Sequence, residues 1–177
     1  MLKDEEEHEN VLAKQVQSSF VMYISFVVLG LADAIVEISG IHAGSLGVYS
    51  STELTGLAGI IAGAAASMAM ATAAFAQAKQ GFQGSAGISA MATGASYFIS
   101  AVSLAMPYFL TKNAIFAMST SLVIAVFILA FTTYYNSIIS EAHFLRDFME
   151  LAGIMFGATV VLFFFGQAIR SYFGISI

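Results

Sequence analysis

Apolar positions fall into five long runs, at 19–43, 54–78, 87–110, 114–140 and 151–169, separated by short polar stretches. Each run is close to the ~20 residues a helix needs to cross ~30 Å of hydrocarbon. The second, third and fourth contain no Asp, Glu, Lys or Arg. None alternates with the period of two expected of barrel strands, so helices are the remaining way to satisfy the backbone in lipid. The expected fold is all-α: a polytopic membrane protein with five transmembrane helices at 19–177, preceded by an acidic segment at 1–18. The first run is too long for a signal peptide and follows acidic rather than basic residues, so it is expected to remain as a span.

The connections predicted between the spans are short. Residues 44–53 join the first two, and the Gly- and Gln-rich 79–86 joins the next two. Residues 111–113 make a tight hairpin, just after Pro107, which is expected to end or kink the third span. The stretch 141–150 is amphipathic and is expected to extend a helix at the membrane surface. The basic residues orient the chain: Lys3, Lys14, Lys79 and Arg146 fall on one side, Lys112 and Arg170 on the other. The larger group is expected inside, which makes the N-terminus cytoplasmic.

Composition narrows the function. Of 177 residues 59% are hydrophobic and 10% charged, against about 25% charged in a soluble domain. The net charge of −5 leaves no basic footprint, so no nucleic-acid partner is expected. The chain has no Cys, which excludes disulfides, thiolate metal sites and cysteine nucleophiles. With no HExxH, catalytic triad, P-loop or dinucleotide glycine motif, an enzyme is not expected.

The chemistry concentrates in the first span. Asp33 and Glu37 stand four residues apart, on one helix face and about 6 Å apart along the axis. A central Asp costs about 2.5–3.5 kcal/mol on insertion, while each Leu, Ile, Phe or Val returns about 0.3–0.6. No Lys or Arg lies at similar depth. The acids are therefore protonated, or face a wet cavity, or bind a cation; a neutral acid in an interhelical hydrogen bond is the purely structural alternative.

Methionine adds a soft, neutral ligand that can join carboxylates around a transition metal. Of the nine methionines, Met68 and Met70 lie in the small-residue second span, and core packing is the default for Met70. His42 is expected at the membrane interface near the outer end of the first span, as a snorkelling side chain, or as a metal ligand or proton acceptor at the exit. Glu141, His143, Asp147 and Glu150 precede the fifth span. There Glu150 either pairs with Arg146 or helps form a vestibule that attracts cations. Glu5, His8 and Glu9, at helical spacing in the acidic tract, either are simply solvated or gather divalent cations loosely. Small-xxx-small pairs at Gly40/Gly44, Gly59/Gly63 and Gly153/Gly157 predict close helix packing, within a bundle or between copies.

These motifs together resemble the vacuolar iron transporter family. Gly30, Asp33, Ala34, Val36 and Glu37 fit the family's first span. Residues 57–63 (LAGIIAG) followed by Ser67, Met68 and Ala69 resemble its second. Residues 148–175, with Glu150, Gly157, Phe164, Gly166, Arg170 and Gly174, resemble its last. The resemblance implies a homodimer of five-helix protomers that exports or sequesters Fe²⁺, with Mn²⁺ the next candidate, in exchange for protons. It places Asp33 and Met68 on the translocation path, with Glu37 as a second carboxylate. Three departures stand out. Ala32 replaces the family's Asn, Ala71 and Thr72 replace a Gly-Glu pair, and 79–86 is too short for a cytoplasmic metal-binding domain. A prokaryotic plasma membrane is the expected location. The alternative is a membrane scaffold or interaction protein on a transporter-derived fold that no longer transports.

Overall fold

In a computed structural model the described residues are 2–80, 84–140 and 143–174, with side chains described from residue 21 onward except at Ser140. Five α-helices follow one another: α1 Leu2–Tyr49, α2 Thr52–Ala78, α3 Ala86–Leu110, α4 Ala114–Ser140 and α5 Phe144–Phe173. All five contain a stretch long and apolar enough to cross a membrane, in α1 over Val21–Tyr49. The expected all-α, five-span architecture is the one found, and the chain is an integral membrane protein.

Short polar residues punctuate the helices. Ser51 Oγ accepts from Leu54 N at the start of α2, and Ser85 Oγ accepts from Ile88 N at the start of α3. Asn113 Oδ1 does the same for Phe116 N ahead of α4. Gly174 closes α5 at φ 62°, a left-handed conformation that glycine adopts without a Cβ clash. Ser50 also has a positive φ of 53°. Its hydroxyl accepts from Arg170 Nη1, which ties the α1–α2 turn to the end of α5.

α1 is the hub, packed against each of the other four helices. Its glycines let neighbours approach. A Cβ on Gly30 would meet Thr93 O and Ser96 Oγ of α3, one on Gly40 would meet the Leu162 side chain of α5, and one on Gly47 would meet Phe163 O. The interior is small and hydroxylated, with Ser89, Thr93, Ser100, Ser121, Thr132, Thr133 and Thr159 all buried. Their hydroxyls mostly bond to carbonyls one turn back, as Ser100 does to Ser96 O and Thr159 to Met155 O. The exterior is apolar, with Met91, Ile115, Phe127 and Val161 exposed. This is the distribution expected of a bundle solvated by lipid.

Two helix boundaries differ from the sequence expectation, and a third matches it. The 44–53 connection shrinks to Ser50 and Ser51, because α1 continues to Tyr49. Gly44 and Gly47 pack against the Leu162–Gln167 stretch of α5 and hold that last part helical. α3 runs three residues past Pro107 to Leu110, the end expected for the third span. The proline removes one backbone donor near the helix end, and Tyr108, packed with Leu46 and Ala117, anchors the turn that follows. α5 begins at Phe144, so the amphipathic stretch is continuous with the fifth span from there on.

Candidate ion site

Two hydrogen bonds fix α3 on α1. Thr93 Oγ1 donates to Phe26 O at 3.1 Å, and Ser96 Oγ donates to Val27 O at 3.1 Å. The missing Cβ of Gly30 is what admits this approach. One turn after Thr93, the fully buried Tyr97 reaches the acid pair, and its phenolic OH donates to Glu37 Oε2 at 2.6 Å. Sequence reasoning singled out no candidate site residue in the third span. The signal was there in the hydroxyl-rich series Thr93, Ser96, Tyr97, Ser100 within an otherwise apolar run.

Asp33 and Glu37 lie on the outward side of α1. Met22, Ser25, Leu29 and Glu37 are exposed and Asp33 is half-buried. Successive members are three or four residues apart, so they form one stripe along the helix. Asp33 and Glu37 act electrostatically on each other. Among the described residues neither is ion-paired with Lys or Arg; the ion pair present is Arg146–Glu150. The sequence expectation of two acids on one face without a basic partner is therefore met in the geometry. The acids are not sealed by backbone, since Glu37 keeps one phenolic partner and an open side.

The other candidate residues take different places. Met68 is 72% exposed on α2, so a single chain does not enclose its thioether. Met70, by contrast, packs against the main core cluster. His42 does not snorkel. It is 1% exposed, with its ring 4.4 Å from that of Tyr108 and its Nε2 edge over Gly59. The expected snorkelling side chain is an interior one, because Gly59 opens a recess in α2 that an imidazole fills.

Arg146 Nε donates to Glu150 Oε1 at 2.9 Å. Glu150 and Asp147 also line a cavity of about 450 Å³ between α1, α4 and α5, whose other polar lining includes Ser25, Thr132, Thr133 and Asn136. Ala32, next to Asp33, lines the same cavity. Glu141 and the side chains of the acidic tract, Glu5, His8 and Glu9 among them, lie outside the described residues.

Among the described residues no three His, Asp or Glu side chains converge on a point that could hold a metal ion. A single chain thus offers a transition metal two carboxylates one turn apart and a tyrosine oxygen. No family model matches the chain, and no curated protein matches it.

Proposed function

We propose that this protein is an integral-membrane transporter of divalent cations, Fe²⁺ foremost and Mn²⁺ next, that exchanges metal for protons as a homodimer of the vacuolar iron transporter type. The observation that carries the reading is the Asp33–Glu37 pair on the open stripe of α1, without a cationic partner among the described residues. Carboxylates at that depth are costly unless they meet a cation, a proton or water. A metal-for-proton exchanger supplies the first two in turn.

The open stripe also gives the dimer a purpose. Among the described residues one chain brings together too few ligands for a divalent ion. A second copy laid against the same face doubles the carboxylates to four, and the resemblance adds the exposed Met68 to the path. Hard carboxylates with a neutral thioether suit Fe²⁺ and Mn²⁺, and selectivity then follows from geometry and availability. The cavity beside Ala32, with Asp147 and Glu150 in its wall, offers cations an approach to α1. With the N-terminus cytoplasmic, that approach opens on the cytoplasmic side of a prokaryotic plasma membrane.

Purified protein in liposomes loaded with a metal-quenched dye tests the proposal. Fe²⁺ or Mn²⁺ is expected to enter in a saturable way with opposite proton movement, and Asp33→Asn is expected to abolish it while the dimer persists. Undiminished metal flux in Asp33→Asn defeats the assignment. No flux in the wild-type protein leaves the non-transporting scaffold as the reading.

A further inference from the structure

His42 and Ser39 are the two places where the described interior leaves polar side chains without partners. Ser39 is 3% exposed and His42 1% exposed; neither the Ser39 hydroxyl nor either ring nitrogen of His42 has a hydrogen bond within the protein. The two residues are three apart on α1 and therefore share a face. Orphan polar atoms in an apolar interior cost about 1–3 kcal/mol each, and buried water, bonded to two to four polar groups, is the usual remedy.

The surroundings are built for the ring. A Cβ on Gly59 would stand 2.0 Å from His42 Nε2, so this glycine seats an imidazole. Tyr108 flanks the ring at 4.4 Å with an interplanar angle of 44°. Thr55, one turn before Gly59 on α2, is also fully buried, and its hydroxyl donates to Ser51 O, leaving its oxygen able to accept. His42 lies five residues beyond Glu37, which is about 140° around α1 and about 7.5 Å along it. The imidazole therefore faces the inside of the bundle, while the acids face out.

We propose that Ser39 and His42 together bind water inside the five-helix bundle, and that this hydrated imidazole is a proton path separate from the acid-lined metal route. The second half rests on the transport reading; the water site does not. In the proton step, a hydrated proton gives its proton to one ring nitrogen and becomes the bound water, while the other nitrogen releases its own proton to a second water, which becomes the hydrated proton that moves on. The ring ends neutral with its tautomer exchanged, and no further reactant is consumed.

The water site is tested in bilayers on His8→Gln/His143→Gln protein labelled with ¹⁵N-histidine, in which His42 is the one histidine left of three. Magnetisation transferred from water is expected to reach the His42 ring, and Gly59→Ala, which displaces the ring, is expected to diminish it. A ring that receives none in the Gly59-containing protein overturns the water site. The proton path is tested by proton counter-flow during metal uptake into liposomes. His42→Leu is expected to lower counter-flow at least about tenfold, with metal binding at the acid pair retained. Wild-type counter-flow in His42→Leu overturns the proton path. Absence of metal flux in the wild type instead defeats the transport reading, and with it the proton path, and leaves the water site to the magnetisation transfer.

Discussion

Tyr97 of α3 donates to Glu37 of α1 at 2.6 Å, with the tyrosine buried and the carboxylate exposed on its other side. The hydroxyl fixes one carboxylate oxygen, Oε2. Tyr97→Phe keeps the ring and removes the bond. An intramolecular hydrogen bond contributes about 0.5–1.5 kcal/mol, so the variant is expected to unfold earlier in detergent melts and, on the transport reading, to bind Fe²⁺ more weakly in titrations.

Gly30 and Gly153 offer a matched pair of helix glycines. A Cβ on Gly30 would lie 2.4 Å from Thr93 O and Ser96 Oγ, whereas one on Gly153 meets nothing within 4 Å. Gly30→Ala is expected to cost about 1–3 kcal/mol through overpacking, and to separate Tyr97 from Glu37. Gly153→Ala is expected to be neutral or to stabilise the single chain by up to about 1 kcal/mol through helix propensity. Thermal melts of both variants, side by side, decide this.

Met68 and Met155 differ in the same way. Met155 is fully buried and Met68 is 72% exposed. Met155→Ala is expected to cost about 2–5 kcal/mol, and Met68→Ala less than about 0.5. Transport reverses the order for Met68: its alanine variant is expected to carry Fe²⁺ and Mn²⁺ more slowly than wild type at unchanged stability. Equal flux would make Met68 a lipid-facing residue only.

Thr93 and Ser96 hold α3 to the α1 backbone through hydroxyls. Interhelical hydrogen bonds in membranes contribute about 0.6 kcal/mol on average and up to about 1.7. Thr93→Val with Ser96→Ala is expected to lose about 1–3 kcal/mol in denaturation, and to lower metal affinity by releasing Tyr97.

The glycine pairs show what a motif leaves open. Gly40/Gly44 and Gly59/Gly63 are filled within the chain, by Leu162 and by His42 and Ala101. Gly153/Gly157 has nothing against it. All three look alike along the sequence, because spacing fixes which residues share a face and says nothing of what the face meets.

Sequence alone determined the number and kind of spans, since the apolar length needed to cross a bilayer is a local property of each segment. It also put Asp33 and Glu37 on one face, because the helical repeat does so whatever the surroundings. Packing decided the rest. The stripe bearing the acids faces outward because glycines on other sides of α1 draw α3 and α5 against it. Tyr97 meets Glu37 because two hydroxyls sixty-odd residues away in sequence dock on α1. His42 is buried because a glycine on another helix makes room for its ring. Each of these depends on atoms distant along the chain, and hydropathy along one segment carries no information about them.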